Sequence, residues 1–454
     1  MHKKSEKQLP LMEQGPAHPK VREWQQISKI IDQCPGIYDM VLRDITSTAK
    51  YDFGAHGMTA EQVTRAAIIK RIEGYSYEKL SFHLADSKCY REFCKIGFAS
   101  KGFKKSALCE NIKAISPETW EYINNKAVLD YAEEENIEKG RKARIDCTVV
   151  LSDIHDPTDS SLLYDAVRVL ARNISKVKEE LSGLKFPFQY HTKRAKRRAL
   201  GILNAKGEKD RNNKYLDLLK VTRKTIGYAQ AAICELEVYN GVELMQAASA
   251  RGCLNELKQY VDLALKVVDQ TERRILNEET VPASEKVVSI FEPHTDIIIK
   301  DRRNTFYGHK ICLTGGASNL ILDCLILEGN PADSTLSDQM LDRQKDIYGR
   351  YPLKVSLDGG FASKDNLKSA KSKGIKDVCF SKGKGLKEQD MCRSSYVYKA
   401  MRNFRAGIES SISWLKRSFD LWRCLWKGFT SFKSYVWSGI VSANLLTLAR
   451  KQLA

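Results

Sequence analysis

The sequence predicts an α/β protein in which a mixed sheet is interrupted by a large inserted helical domain and preceded by a helical N-terminal domain. Three observations lead to this prediction: short β-branched runs that carry single acidic residues, a long helical block between the first such run and the next, and helical periodicity at both ends of the chain. Its 454 residues exceed the usual size of one domain, so we expect two or three domains with a sizeable core.

The N-terminal part of the chain reads as helical. Residues 1–56 are polar and turn-rich at first and then contain one helix-like stretch around 21–45. A second helix is predicted from Thr59, a suitable N-cap, and Gly74 separates it from a third at 76–84. Two helices joined by a glycine resemble a helix-turn-helix, but any helical hairpin has the same pattern. DNA reading and plain packing or dimerisation therefore both remain open.

Two apolar strand-like runs each contain one carboxylate. Asp146 lies near the start of the run RIDCTVVL, and Asp358 ends the run PLKVSLD, where Gly359 and Gly360 follow it. An Asp in an apolar strand is costly unless it is paired or binds a metal. The two glycines allow a sharp turn at the strand end, where open α/β sheets place their ligand sites.

A third carboxylate lies on a predicted helix between cations. Residues Arg402, Arg405, Glu409, Ile412 and Lys416 are separated by 3, 4, 3 and 4 positions, which places them on one helix face. A helix that buried this stripe would carry Leu or Val instead. We therefore expect it to present a carboxylate to a metal and cations to phosphates, with a solvated, salt-bridged face as the alternative.

These three segments carry a family resemblance. Asp146 in RIDCTVV, Asp358 in LDGGFAS and Glu409 in RAGIESSISWLK resemble the catalytic carboxylates of the DDE transposases of bacterial insertion sequences, and most of all those of the ISNCY-like group. The segments HDPTDSSLLYDAVRVL, SIFEPHTDIIIKDRRN and FYGHKICLTGG are similar to the family as well. The resemblance therefore covers most of the chain from about residue 57 to the C-terminus.

The resemblance is specific around the glutamate. The pattern Arg, three residues, Glu, six residues, Lys is kept by Arg405, Glu409 and Lys416, and an Asp-x-Gly-Phe/Tyr pattern begins at Asp358. One position departs from it, because Arg402 stands where related families often have Tyr. This departure leaves the phosphate contact at residue 402 open, but not the metal site.

The predicted chemistry is metal-dependent phosphoryl transfer. Three carboxylates hold two Mg²⁺ (or Mn²⁺) ions about 3.5–4 Å apart, one of which activates the nucleophile while the other stabilises the leaving oxygen. Arg405 and Lys416 are expected to hold phosphates beside the metals, and Lys310 to do so from the GHK segment. His309 in that segment is either a general base or a structural histidine.

The order of elements is compatible with a ribonuclease-H-like mixed sheet, in which the first strand is central and neighbours the strand of the second Asp. Its predicted parts are strands at 307–314, 319–328, 353–358 and 377–381, a hairpin turn at 315–318 and a helix at 364–373. We therefore divide the chain into an N-terminal helical domain for DNA binding or dimerisation, a catalytic core and an inserted helical domain, with the bounds 1–140, 141–157 with 286–454, and 158–285.

The inserted block is helical and basic. It carries two apolar stripes of the kind that faces a core, Leu162, Val169, Leu170, Ile174 and Val177, and Leu254, Leu257, Val261, Leu265 and Val268. Between them lies a run of five cations, Lys193, Arg194, Lys196, Arg197 and Arg198. This run either follows a DNA backbone or is a solvated face.

Composition agrees with a polyanionic partner. The chain has 74 Lys+Arg against 56 Asp+Glu, a net charge of +18, although ribosomal and membrane-surface proteins share this property. Its 12 cysteines contain no C-x-x-C pair, which favours a reducing cytoplasm. The N-terminus lacks a signal-peptide core, and residues 435–449 read as a buried final helix too short to span a bilayer.

Four tryptophans follow the glutamate, namely Trp414, Trp422, Trp426 and Trp437. Such residues either stack on a displaced base near a DNA end or build a hydrophobic core.

The sequence thus predicts a DNA transposase of the bacterial cytoplasm, associated with the nucleoid. Its expected partners are double-stranded DNA, both the terminal inverted repeats of its element and the target, and a second copy of the chain in a homodimer on DNA. No membrane partner is expected. Two alternatives remain: a ribonuclease-H-fold nuclease that hydrolyses without joining, and a domesticated DNA-binding protein without activity.

Overall fold

The chain forms two compact units. The computed structural model describes residues 18–47, 57–97, 100–181, 183–239, 244–300 and 304–454. One unit consists of Met1–Leu151 with Lys310–Ala454, and the other of Ser152–His309. Helices and a mixed sheet together make this an α/β protein, which confirms the predicted class.

The described residues before the first strand form eight α-helices. They are α1 (Pro19–Asp32), α2 (Gly36–Ser47), α3 (Ala60–Glu73), α4 (Tyr77–Asp86), α5 (Lys88–Phe93), α6 (Lys105–Ala114), α7 (Pro117–Ile123) and α8 (Asp130–Glu134). The single helix expected around 21–45 was wrong, since α1 and α2 are separate. Pro35 lies at the break, because proline has no N–H to donate and disfavours helical geometry in the residue before it.

Helix α3 has the predicted ends. The Thr59 hydroxyl accepts from the N–H of Gln62, whose side chain accepts in return from the N–H of Thr59, and Gly74 ends the helix with φ +63°. The helix is buried around its circumference, and even Arg65, which pairs with Asp32, is 0 % exposed. Packing therefore accounts for α3, and DNA reading by this helical pair stays a prediction.

Strand β1 (Lys142–Leu151) ends the first stretch of the larger unit, and the smaller unit follows. It contains α9 (Asp159–Glu180), α10 (Thr192–Leu203), α11 (Glu208–Glu237), α12 (Leu244–Thr271) and the strand β2 (Asp296–Lys300). The first apolar stripe is buried as predicted. In the second, Leu265 is 44 % exposed, because the buried face runs through Val261, Ala264 and Val268 and passes beside it.

The remaining elements complete the sheet. They are β3 (Asn304–Gly315), β4 (Ile321–Ile326), α13 (Ser337–Tyr348), β5 (Lys354–Leu357), α14 (Lys364–Ser372), β6 (Asp377–Phe380), α15 (Glu388–Met391), α16 (Ser395–Ser418) and α17 (Phe429–Leu453). Strand β1 lies between β3 and β5, and β6 follows β5. The pairs β1–β5 and β5–β6 are parallel, and β4 pairs antiparallel with β3, which confirms the predicted hairpin.

Strand β2 was not predicted. Its five residues pair antiparallel with the start of β3, from Asp296↔Gly308 to Lys300↔Asn304. The segment DIIIK is short and bounded by charged residues, so its three isoleucines show no alternation that would indicate a strand.

The final helix α17 is a core element, as predicted for 435–449. Its middle turns are buried on all sides, with Ile440, Val441 and Leu445 each 0 % exposed. None of the helices that the structure describes is both long and apolar enough to cross a membrane. The 12 cysteines are free thiols; Cys312, Cys324 and Cys379, which lie on strands, are buried, and Cys147 on β1 is partly buried.

Candidate active site

The parallel pairing of β1 and β5 brings Asp146 and Asp358 to the same level of the sheet. The two strands are in register from Lys142↔Lys354 to Ile145↔Leu357. The next residue of β1 is Asp146, and the next residue after β5 is Asp358. Two carboxylates that are 212 positions apart in the chain (358 − 146) thus follow one matched pair of strand residues.

The turn after β5 holds the Asp358 carboxylate. Ser381, which follows β6, donates its hydroxyl to Asp358 Oδ1 at 2.9 Å, and the N–H groups of Gly359 and Gly360 also bond to this carboxylate. A Cβ atom at Gly360 would lie 2.6 Å from Asp333 Oδ2, so a side chain there would have to displace the Asp333 carboxylate. Close packing against Asp333 therefore favours glycine at this position.

Glu409 reaches the same end of the sheet on α16. The Ser394 hydroxyl caps the start of this helix, and the buried Ser356 of β5 donates its hydroxyl to the Met401 carbonyl oxygen at 2.9 Å. The helix that carries Glu409 is thereby bonded to the strand that precedes Asp358.

A buried arginine attaches the same helix to β1. Arg144, 3 % exposed, donates from Nη1 to the Phe404 carbonyl oxygen at 3.1 Å and from Nη2 to Asn319 at 2.7 Å. A Cβ atom at Gly407 would lie 1.8 Å from Arg144 Nη1, so glycine alone lets the guanidinium pass beneath α16. Burial lowers the pKa of Arg144, a shift that the charge of Glu138 opposes.

Arg405 joins the three predicted carboxylates. Its Nη2 lies 3.1 Å from Asp146 Oδ2 and 3.0 Å from Asp358 Oδ1, and its Nη1 lies 2.7 Å from Glu409 Oε1. The exposed fractions of the carboxylate side chains rise from 14 % for Asp146 through 37 % for Asp358 to 58 % for Glu409. The three side chains thus surround one positive charge at the edge of solvent.

The charges in this cluster stabilise one another. Burial alone would raise the pKa of Asp358, but the hydrogen bond from Ser381, the charge of Arg405 and two backbone N–H groups outweigh it and lower the pKa. Burial alone would lower the pKa of Arg405, and the three carboxylates outweigh it and raise the pKa. Both charged forms are therefore favoured at neutral pH.

The donor set fits a hard divalent cation, although Arg405 stands in its place. Carboxylate oxygens are the ligands that Mg²⁺ and Mn²⁺ prefer. In the described part of the chain, no three His, Cys, Asp or Glu side chains lie close enough together to hold one ion as they stand. The guanidinium separates the carboxylates and offsets part of their negative charge. A metal at this site therefore requires Arg405 to move away.

The other predicted phosphate contacts of the larger unit differ in accessibility. Arg402 is exposed, and Lys416 is partly exposed with its Nζ 5.1 Å from the centroid of the Trp422 ring. Lys310 is 8 % exposed, donates to the Pro331 carbonyl oxygen at 2.7 Å and forms an ion pair with Asp333. A phosphate contact by Lys310 would first have to break this pair.

The basic run in the smaller unit lies on α10. Lys193, Arg194, Lys196 and Arg197 are exposed. Arg198 is partly buried and forms an ion pair with Asp217 of α11 at 2.5 Å, so its charge is already balanced inside the smaller unit. Four of the five predicted cations are thus available to a ligand.

His309 is a buried member of a hydrogen-bonded chain in the smaller unit. Its Nε2 lies 2.7 Å from His294 Nδ1 and its Nδ1 lies 2.8 Å from Asp296 Oδ2, while His294 Nε2 lies 2.8 Å from Glu292 Oε2. With both ring nitrogens bonded and 1 % exposure, His309 matches the structural interpretation rather than that of a general base.

Sequence reasoning missed the residues that support the site, namely Arg144, Ser356, Ser381 and Asp333. One signal was present for Arg144, because residues two apart on a strand share a face, and a charged residue two positions before Asp146 in an apolar run calls for a buried partner. The serines and Asp333 carry no such local signal.

Comparison with known protein families adds evidence independent of this geometry. Residues 289–445 match the family model described as a transposase DDE domain. The matched segment contains Asp358, Arg405, Glu409 and Lys416, and it supports a DDE-type transposase whose substrate is DNA. Comparisons with curated proteins and with solved structures yield no match.

Proposed function

We propose that this protein is a DNA transposase that cleaves at the ends of its own element and joins them to target DNA. One observation carries the proposal: Asp146, Asp358 and Glu409, from two strands and a helix far apart in sequence, converge on one guanidinium. The matched transposase domain contains two of these three carboxylates. We take the three as the catalytic residues, and we place the chain nearest the ISNCY-like group on the sequence motifs.

The three carboxylates would hold the metal, Mg²⁺ or Mn²⁺. When bound, a metal pair supplies the positive charge that favours the attacking hydroxyl or water and stabilises the leaving oxygen. The chain itself orients the ligands. Ser381 and the turn glycines hold the Asp358 carboxylate, and the Arg144 contact to α16 positions Glu409.

Arg405 would leave the carboxylates when metal arrives and bind a phosphate of the DNA end. Its Nε is buried without a hydrogen-bond partner among the described residues, so the side chain is not fully satisfied where it stands. A buried unpaired N–H costs about 1–3 kcal/mol, which favours a second arrangement of this side chain. Arg402 and Lys416 are the further phosphate contacts that we assign on the same helix.

The strand order supports a ribonuclease-H-like core. The central β1 bears the first Asp, β5 next to it precedes the second, and β3 and β4 form a hairpin on the other side. The domain bounds 1–140, 141–157 with 286–454, and 158–285 stay our proposal. The exposed cations of α10 would follow the DNA backbone, and a homodimer would place one protomer at each terminal inverted repeat.

A strand-transfer assay tests the function. Inverted repeats identified in the DNA that flanks the gene are made as labelled duplexes and incubated with protein, a supercoiled target plasmid and Mg²⁺. We expect nicking at the repeat end and covalent joining to the plasmid. Nicking without joining would identify a ribonuclease-H-fold nuclease, and binding without nicking would identify a non-catalytic DNA-binding protein; either result rejects the proposal.

A further inference from the structure

The six tryptophans of the chain differ sharply in exposure. Trp24, Trp120, Trp426 and Trp437 are at most 5 % exposed, and Trp414 is partly buried against the core. Trp422 is 54 % exposed. Core packing therefore explains the position of the other five tryptophans, whereas more than half of the Trp422 side chain is exposed to water.

The backbone on both sides of the exposed Trp422 ring is held in place. The N–H of Leu151 donates to the Trp422 carbonyl oxygen at 3.0 Å, and the N–H of Cys424 donates to the Leu151 carbonyl oxygen at 2.8 Å. Leu421 and Cys424 on either side are 1 % and 0 % exposed. The backbone is thus attached to the end of β1, the strand that carries Asp146, while the indole points away from the core.

The segment that carries this indole is rich in cations. Between residues 414 and 428 the sequence has four cations, Lys416, Arg417, Arg423 and Lys427, against the single carboxylate of Asp420. The Lys416 ammonium lies 5.1 Å from the centroid of the Trp422 ring, and Arg417, Arg423 and Lys427 are exposed. An exposed aromatic ring among cations complements a nucleobase attached to phosphates.

The same segment is tied to both elements of the candidate active site. Lys416 lies seven residues after Glu409 on α16, which is two helical turns along the same face. Trp422 is bonded to Leu151, five residues after Asp146 on β1. The ring therefore belongs to a segment attached to both the strand that carries Asp146 and the helix that carries Glu409.

We propose that Trp422, with Lys416, is a stacking platform for an unpaired base of the DNA, either extruded from the duplex or in a single-stranded end. This inference rests on the proposed function and extends it by naming a ligand class for a surface attached to the strand and the helix of the candidate site. The base stacks on the exposed part of the indole, and its flanking phosphates lie near the cations. Stacking requires no particular base, because every base has an aromatic face.

The experiment compares two DNA probes with the full chain. One is a blunt terminal-repeat duplex, and the other is the same duplex with a short single-stranded overhang that contains the fluorescent base 2-aminopurine. The variants are Trp422→Ala, Trp422→Phe and, as a matched control, Leu425→Ala, which removes a neighbouring apolar residue that is 61 % exposed. Affinity, 2-aminopurine quenching and oligomeric state are measured for each.

We expect Trp422→Ala to bind the overhang probe about 5- to 150-fold more weakly and to lose the quenching, while its affinity for the blunt duplex changes less than about twofold. Trp422→Phe should keep most of both signals, and Leu425→Ala should behave like the parent. The platform would be overturned if Trp422→Ala lost affinity equally for both probes, or lost affinity for neither. A changed oligomeric state in Trp422→Ala would also overturn it, because the partner of Trp422 would then be a second copy of the chain.

Failure of the platform can be told from failure of the proposed function. If the parent and Trp422→Ala nick, join and bind both probes alike, the platform is wrong and the transposase proposal stands. If the parent binds the overhang probe through Trp422 but neither nicks nor joins, the platform stands and the proposed function is rejected.

Discussion

The Arg405 guanidinium lies 3.0 Å from the carboxylate of Asp358, and the same group also contacts Asp146 and Glu409. A single positive charge thus offsets three negative charges that would otherwise repel one another. Any metal at this site would therefore compete with Arg405 for the three carboxylates. The predictions below test the effect of individual charges on metal binding, DNA binding and stability.

Removal of one carboxylate charge should stop the chemistry without weakening DNA binding. Asp358→Asn and Glu409→Gln keep the size of each side chain but remove a ligand charge for the metal. Cleavage should fall by several orders of magnitude, because in the proposed mechanism a metal pair held by these carboxylates activates the nucleophile and stabilises the leaving group. Affinity should hold or rise slightly, since it depends on cations that meet phosphates.

The measurement is Mg²⁺-dependent nicking and joining of a terminal-repeat duplex beside a binding titration at equal salt. Asp365→Asn, which changes an exposed carboxylate at the start of α14, is the control and should cleave like the parent. Near-parental cleavage by Asp358→Asn or Glu409→Gln would locate the chemistry elsewhere.

Removal of the central cation should tighten metal binding. In Arg405→Gln the three carboxylates lose their internal counter-charge, so Mn²⁺ should bind about tenfold or more tightly than to the parent, in line with Coulomb energies of several kcal/mol at such separations. Titration calorimetry or the Mn²⁺ paramagnetic resonance signal measures this. Arg402→Gln, an exposed cation on the same helix, should leave Mn²⁺ affinity near that of the parent. A weaker or unchanged affinity in Arg405→Gln would exclude competition by the guanidinium.

A methyl group at residue 407 should displace the glutamate helix. Gly407→Ala places Cβ in the space of the Arg144 guanidinium, and overpacking of this kind costs about 1–3 kcal/mol of unfolding free energy, more than the gain in helix propensity. Denaturant unfolding and cleavage should both be impaired.

The matched control for residue 407 is Gly227→Ala in α11, where no atom lies within 4 Å of the added Cβ. It should be neutral or slightly stabilising. Equal effects of the two substitutions would show that the Arg144 contact does not position α16.

Three exposed cations of α10 should contribute to non-specific DNA binding. Replacement of Lys193, Lys196 and Arg197 by Gln should weaken binding to every DNA sequence. It should also flatten the plot of log affinity against log salt by about 0.9 for each phosphate that the protein no longer neutralises. The control replaces three exposed cations of α12, Arg251, Lys258 and Lys266. If the salt-dependence slope were the same in parent, test and control proteins, the run on α10 would be a solvated face that does not contact DNA.

His155 should titrate above its ordinary range. Its Nε2 lies 2.8 Å from the buried Asp165 carboxylate. Burial and the charge of Arg168 lower the pKa of His155, but the bonds to Asp165 and to the Asp156 carbonyl, with the charge of Asp165, outweigh them and raise it. Because the folded pKa is raised, this pair stabilises the fold fully below the unfolded value of about 6.5, and the contribution disappears as pH rises through the folded value.

Nuclear magnetic resonance of ¹³C-histidine measures that pKa directly. In Asp165→Asn the pKa of His155 should fall below the parental value, because the charge that favours the imidazolium is gone. Asp153→Asn, a nearby acidic residue in the sequence, serves as the control. A pKa that does not respond to Asp165→Asn would contradict the assignment.

Local sequence rules were sufficient for several elements. The cap at Thr59, the hairpin of β3 and β4, and the burial of α17 follow from capping residues, turn residues and apolar runs, which act within a few positions. The three carboxylates were identified in the same way, from an Asp at a strand, an Asp before two glycines and a Glu between cations, and their catalytic role stays a prediction. The break at Pro35 was missed although its cause is local.

The contacts that build the candidate site were decided by tertiary structure. Arg144 meets the Phe404 carbonyl 260 residues later in the chain, and Gly407 matters only because this arginine passes beneath it. No local pattern encodes such a pair, since its energy arises when β1 and α16 are already side by side. The same holds for Trp422. Trp426 and Trp437 are also tryptophans but are buried, whereas the backbone bonds to Leu151 of β1 leave the Trp422 ring exposed to water.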